Sequence, residues 1–187
     1  MNPIDKGSNL TLSDGNLSVT NSSTWGTVRG TVGVSTGKWY YEFNMGGPGY
    51  TMVGVASLDE NIPSTYLGAP SAGSYGYFSS NGTLYLNGST STTHSTFTTG
   101  DVIGVALDAN NGSIWFAKNG VWQGGGNPGA GTSALITSIP SDVYTGAISA
   151  QSTDGTPGGD INFGQNPFRY NPPEGYKTLC LANLPRS

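Results

Sequence analysis

Lys38-Trp39-Tyr40-Tyr41-Glu42-Phe43-Asn44-Met45 is the stretch on which the fold of this 187-residue chain turns. Its odd positions, Trp39, Tyr41, Phe43 and Met45, are apolar, and its even positions carry Lys38, Tyr40, Glu42 and Asn44. A period of two with this aromatic content predicts a half-buried β-strand. Downstream, residues 51–57 (TMVGVAS) form a second β-rich run. Gly54 interrupts it, as a strand glycine does where another backbone approaches closely.

Further out, four Asn-Gly pairs punctuate the chain: Asn81-Gly82, Asn87-Gly88, Asn111-Gly112 and Asn119-Gly120. Both residue types accept positive φ, so each pair predicts a hairpin turn. Between them lie residues 74–80 (SYGYFSS), 83–86, 102–108 (VIGVALD) and 113–118 (SIWFAK), which read as an antiparallel meander. Ile103, Val105 and Leu107 are expected to share a face with Ile114 and Phe116, with Trp115 turned the other way. Residues 143–150 and 160–163 add later strands. The runs 123–131 (QGGGNPGAG) and 151–159 read as surface loops. No segment holds a sustained 3.6-residue period. So many short strands predict an all-β, antiparallel β-sandwich of two twisted sheets packed face to face. Residues 1–165 are expected to form that sandwich, N-terminal strand included. The Pro-rich residues 166–187 form an extended segment packing on it through Phe168, Tyr170 and Tyr176.

Composition narrows the function. Thirty glycines and eleven prolines are scattered between apolar runs, as turns are and linkers are not. Seven basic residues against eleven acidic ones leave a net charge of −4, with the basic residues dispersed. A surface that neutralises phosphates needs them clustered, so no nucleic-acid partner is expected. Cys180 is the only cysteine, which rules out an intrachain disulfide and reads as a small buried hydrophobe. No run approaches the ~18 apolar residues of a membrane span. The opening twelve residues lack the basic-then-apolar pattern of a signal peptide. The expectation is a soluble protein made in a cytoplasm.

Five elements in order carry a family resemblance. They are Gly37-Lys38-Trp39-Tyr40-Tyr41-Glu42, Val53-Gly54-Val55-Ala56, Ser74-Tyr75-Gly76-Tyr77, residues 100–108 (GDVIGVALD) and residues 114–120 (IWFAKNG). Together they resemble the SPRY (B30.2-like) domain over about residues 20 to 165. The resemblance implies a twisted sandwich whose motif residues build the scaffold, while variable loops bind proteins or peptides; similar lectin sandwiches bind glycans. A second resemblance covers residues 162–168 (NFGQNPF), Tyr170, residues 172–179 (PPEGYKTL) and Asn183-Leu184-Pro185. This is similar to the closing segment of SPRY-containing structural proteins of tailed bacteriophages. It implies a non-enzymatic virion protein, a capsid decoration or a tail- or fibre-associated adhesin. Its partners would be other capsid or tail proteins and a host-surface glycan or protein, with homo-oligomers as a further expectation. A soluble protein- or peptide-binding module is the alternative. A lectin-like glycan binder or carbohydrate-active enzyme is the distant one.

Catalytic chemistry finds little support. His94, the only histidine, sits in a Ser/Thr-rich stretch with no nucleophile elbow, and a lone histidine cannot anchor a zinc site. Asp59-Glu60, Asp101, Asp108, Asp154 and Asp160 lie in turns or at strand ends. Asp108 reads as the cap of a tight turn. Asp154 with Asp160 lacks the dense oxygen spacing of a calcium loop. No catalytic residue, metal ligand or cofactor is assigned. Aromatic residues beside Gly, Pro, Ser or Asn are the better candidates. Trp25, Tyr50, Tyr66 and Trp122 are read as loop aromatics able to anchor a protein partner or stack on a sugar.

Overall fold

The alternation at residues 38–45 lies in the longest strand of a two-sheet sandwich. The computed structural model describes residues 1–61, 64–153 and 156–184. Asp154, Gly155, Pro185 and Arg186 therefore lie outside the described residues. Fourteen strands occur among those described. The first seven are β1 (Leu10–Ser13), β2 (Ser18–Asn21), β3 (Gly26–Arg29), β4 (Lys38–Gly47), β5 (Tyr50–Ser57), β6 (Ser74–Phe78) and β7 (Thr83–Leu86). After them come β8 (Ser89–Thr93), β9 (Val102–Asp108), β10 (Ser113–Lys118), β11 (Val121–Trp122), β12 (Tyr144–Gln151), β13 (Gly158–Asn162) and β14 (Lys177–Thr178). One sheet runs β1-β2-β13-β4-β9-β10-β11, with β14 also on β4; the other runs β3-β12-β5-β6-β7-β8. Apart from β14, which runs parallel to β4, the strand pairs are antiparallel. No helix among the described residues is long and apolar enough to cross a membrane.

The core lies between the sheets. From the first sheet it takes Trp39, Tyr41, Phe43 and Met45 on β4, Ile103, Val105 and Leu107 on β9, and Ile114 and Phe116 on β10. Val53, Val55, Tyr75, Tyr77, Leu84 and Ile148 meet them from the second. The β9–β10 register sets Ile114 opposite Leu107 and Phe116 opposite Val105, as alternation predicts, and Trp115 packs on the other face. The Asn-Gly pairs fall at the hairpins. Asn87-Gly88 and Asn119-Gly120 have positive φ at both residues, the geometry that matches strand twist.

Three details differ from the sequence reading. The strand β4 is not half-buried: Tyr40 and Glu42, on its supposed solvent face, are only 2% and 4% exposed. The closing segment covers them, because β14 pairs with Trp39 and Tyr40 where β13 ends, and the Phe168 ring meets Tyr40 edge-on at 5.0 Å. Residues 89–93, inside the Ser/Thr-rich stretch, are the edge strand β8, and all five are exposed. An all-polar edge shows no apolar alternation, so period alone cannot find it. The run 123–131 is a folded turn, with Gln123–Gly125 a short 3-10 helix and Asn127 and Thr132 exchanging backbone hydrogen bonds at 3.0 Å.

Candidate functional site

The outer face of the second sheet is floored by small residues. Gly54 on β5 stands opposite Gly76 on β6 and Ala147 on β12, with Ala56 and Ser149 beside them. On this floor lies a strap, residues 64–73, whose Leu67, Ala69 and Ala72 are buried. Buried hydroxyls fasten it: the Leu67 amide donates to Ser149 Oγ at 2.9 Å and the Gly68 amide to Ser74 Oγ at 2.8 Å. The hydroxyls of Thr27 and Ser149 pair at 2.6 Å. A polar group is buried at little cost when it is satisfied in this way, so the strap is held in one place.

Beyond Tyr66 the floor gives way to large rings. Trp25, Tyr50, Phe78, Tyr85 and Tyr66 form a closed circuit. Successive centroids are 6.4 Å (Trp25–Tyr50), 5.4 Å (Tyr50–Phe78), 5.9 Å (Phe78–Tyr85), 5.7 Å (Tyr85–Tyr66) and 5.7 Å (Tyr66–Trp25) apart. Three of these contacts are edge-to-face, at 76°, 86° and 83°, the geometry aromatic quadrupoles favour. The rings enclose an open cavity of about 270 Å³ with Met52 and Gln151 also in its wall. Among the described residues, no charged side chain lines it.

Of the four aromatics singled out in the sequence, the fold brings three together: Trp25 just before β3, Tyr50 at the start of β5 and Tyr66 on the strap. Trp122 stands apart, on β11 of the other sheet. There it meets Tyr40 edge-on at 6.4 Å, beside a cluster of Trp115, Tyr176 and Phe168. Two wall residues, Phe78 and Tyr85, were not singled out. Alternation could have found them: Tyr75 and Tyr77 point into the core, which sends Phe78 outward, and Leu84 in the core sends Tyr85 outward.

The titratable candidates serve the scaffold. Asp108 accepts from the amides of Asn110 and Asn111 and from the Asn111 side chain, so it caps the turn as its position suggests. Asp101 accepts from the Thr98 amide and Asn119 Nδ2 and pairs with Lys118 Nζ at 3.0 Å. Burial pushes its carboxyl up, but those hydrogen bonds and the Lys118 charge outweigh it and hold the group below the ordinary Asp value. Asp160 accepts from the Ser18 hydroxyl, which also lies 3.0 Å from Asp14. His94 lies 3.2 Å from the Thr92 hydroxyl, and burial lowers its pKa. Among the described residues no three His, Cys, Asp or Glu side chains are grouped to hold a metal ion. Cys180 is half-buried, with its Sγ 3.1 Å from Thr178 Oγ1.

Comparison with known proteins places the fold. The sequence pattern of the SPRY domain matches residues 38–129. The chain is 29% identical over 184 residues to the ATP-dependent RNA helicase DDX1 of Xenopus laevis, covering 97% of this chain and 23% of that protein. It is 32% identical over 180 residues to Ran-binding protein 9 of Xenopus tropicalis, covering 89% of this chain and 30% of that protein. The chain thus spans under a third of the length of either relative. The first of these matches leaves only a few residues of this chain uncovered, so it extends into the closing segment. Among solved structures, the SPRY domain of human HERC1 superposes with a TM-score of 0.71 at 22% identity, covering 89% of this chain and 99% of that one. At that identity the likeness is one of fold.

Proposed function

This chain carries a SPRY domain, and on that premise we propose that it is a binding module, not an enzyme, whose aromatic pocket holds a protein or peptide partner. The observation that carries this reading is the circuit of five rings around an open cavity that no charged side chain among the described residues lines. Rings that support one another edge-to-face lose little freedom when a ligand arrives, and a desolvated aromatic pocket is the kind of place where interface energy concentrates. The cavity is of the size that takes one or two side chains, below the range of most small-molecule pockets. One relative is a Ran-binding protein by name, which supports a protein as the class of partner. The helicase activity in the other relative's name belongs to a protein of which this chain covers 23%.

A displayed random-peptide library tests the reading. Selected peptides should lose at least about thirtyfold in affinity against Trp25→Ala or Phe78→Ala, the loss expected of an anchor pocket. Trp122→Ala should leave affinity within about twofold, because its ring lies on the other sheet. Circular dichroism of each variant separates loss of binding from loss of fold. Peptides that ignore both pocket variants, or a glycan array that binds where no peptide does, would overturn it.

A second reading concerns the setting. The resemblance of residues 162–185 to the end of phage structural proteins supports a virion, with capsid or tail proteins as partners. Antibody to this chain, gold-labelled on particles from the source culture, should then decorate heads or tails. Bare particles with the protein left in the soluble fraction would sink it.

A further inference from the structure

The four Asn-Gly pairs that shape the turns carry a chemistry of their own. In such a pair the glycine nitrogen can attack the preceding side-chain amide, because no Cβ on the glycine blocks the approach. The attack needs a nitrogen free of other bonds and an amide group free to swing onto it. At three of the pairs the fold withholds one or both. The Gly82 amide donates to the Phe78 carbonyl at 3.0 Å, and Asn81 Oδ1 accepts from the Thr83 amide at 2.9 Å. The Gly88 amide donates to the Gly68 carbonyl at 2.7 Å, and Asn87 Oδ1 accepts the amides of Ala72 and Gly73. Asn119 is held at both ends of its amide: Oδ1 accepts from the Val102 amide at 2.9 Å, and Nδ2 donates to Asp101 at 2.7 Å.

Asn111-Gly112 differs on both counts. Asn111 is exposed in the turn between β9 and β10, and its Oδ1 accepts from no donor among the described residues. Only its Nδ2 is held, by the Asp108 carboxylate at 2.8 Å, and that is the end that would leave. Gly112 is buried, with a φ of +60°. Its carbonyl accepts from the Ile139 amide at 3.1 Å, while its own amide donates to no acceptor among the described residues. A buried N–H without a partner costs free energy. An imide nitrogen carries no hydrogen, so ring closure here removes the one group that the fold leaves unsatisfied.

We propose that Asn111 is a site of self-modification, its side-chain amide the substrate and the Gly112 nitrogen the nucleophile. That nitrogen bonds to Asn111 Cγ, the Cγ–Nδ2 bond breaks, and Nδ2 departs as ammonia with the proton that the Gly112 nitrogen gives up. Water then opens the five-membered imide at either carbonyl, leaving aspartate or isoaspartate. One water enters, one ammonia leaves, and nothing is oxidised or reduced. In the aspartate product a carboxylate replaces the group that donated to Asp108, which is 1% exposed and has Lys38 Nζ 4.0 Å away. Like charges so close repel, and the turn that Asp108 caps loosens. Isoaspartate instead routes the main chain through the side chain and lengthens the turn by one carbon. The site lies on the first sheet, away from the aromatic pocket on the second.

The test is peptide mapping by mass spectrometry of the folded chain held in mildly alkaline buffer. The same chain in urea gives the rate of each pair without the fold. Folded, Asn111 should convert first, seen as lost ammonia at the imide stage and as aspartate or isoaspartate after it. Relative to their rates in urea, Asn81, Asn87 and Asn119 should lag it by at least about tenfold, since each must first break hydrogen bonds. Asn111→Gln, whose longer side chain disfavours the ring, should silence this turn and leave the other three rates as they were. Asn111→Asp should lower the urea midpoint. Any of the other three pairs converting as fast as Asn111 in the folded chain would overturn the proposal. So would an Asn111 that stays intact when folded while the chain in urea converts there. An Asn111→Asp protein with the parent's urea midpoint would overturn the repulsion against Asp108.

Discussion

A carboxylate that is 4% exposed needs partners, and Glu42 finds them far along the chain. It accepts the amides of Arg169 and Tyr170, each at 2.8 Å and 127 and 128 positions away, and the Tyr40 hydroxyl at 3.0 Å. One side chain thereby fastens the closing segment to the centre of the sheet. Glu42→Ala would leave two amides and a phenol without an acceptor, at a cost of about 2–4 kcal/mol. Urea denaturation should show that loss, and hydrogen exchange should show the Arg169 and Tyr170 amides opening first. Glu42→Gln, which keeps one carbonyl oxygen, should lose less. Unchanged exchange at those two amides in Glu42→Ala would mean that packing of Phe168 and Tyr176 holds the segment without the carboxylate. In the sequence Glu42 looks like any polar residue on the outer face of a strand. Alternation assigns a face, but it cannot say whether that face meets water or another stretch of chain.

At the scale of elements, the site depends on two glycines facing each other across β5 and β6. A Cβ at Gly54 would collide with the Tyr75 carbonyl oxygen, and one at Gly76 would sit 2.7 Å from the Leu67 Cβ. The first keeps the strand pair close, and the second lets the strap lie flat, which sets Tyr66 at the pocket's rim. Gly54→Ala must therefore push backbone against backbone and should cost about 3 kcal/mol or more. Gly76→Ala should cost less in stability, because the strap can lift, but should weaken pocket ligands by displacing Tyr66. Thermal midpoints and ligand titration of the two variants separate these effects. A Gly76→Ala protein that binds as well as the parent would show that the strap does not position the rim. Here the sequence is informative: Gly54 marks a close approach, since a bare backbone in a β-rich run has few other uses. Its partner Gly76 sits in a quoted motif, yet nothing local joins it to Leu67.

For the molecule as a whole, the aromatic content that fills the core also sets its alkaline limit. Burial holds the Tyr40, Tyr41, Tyr75, Tyr144 and Tyr176 hydroxyls above their ordinary value. Tyr77 is pushed up to about 12, by burial first and by the Asp101 carboxylate second. A phenol whose folded pKa exceeds its unfolded one favours folding fully below the unfolded value of 10.0, and that contribution is lost as pH rises through the folded value. Stability should therefore hold up to about pH 10 and then fall, while tyrosinate absorbance appears together with unfolding. Tyr77→Phe should make the fall shallower. Full tyrosinate absorbance at an unchanged urea midpoint would contradict this account.

Local order settled what local order can: the strand runs, the turns between them, and the inward set of Trp39, Tyr41, Phe43, Ile103, Val105 and Phe116. Those follow from a period of two and from the φ that Asn-Gly accepts, properties of neighbouring residues. Three further features came from the tertiary structure alone: Trp25, Tyr50 and Tyr66 closing a ring with Phe78 and Tyr85, Trp122 on the opposite sheet, and Glu42 lying under the chain's end. Each depends on which strands lie side by side, in the order β3-β12-β5-β6-β7 and in the return of β14 to β4. Strand order is decided by contacts between residues distant in the chain, and the periodicity of a single strand carries no record of its neighbour.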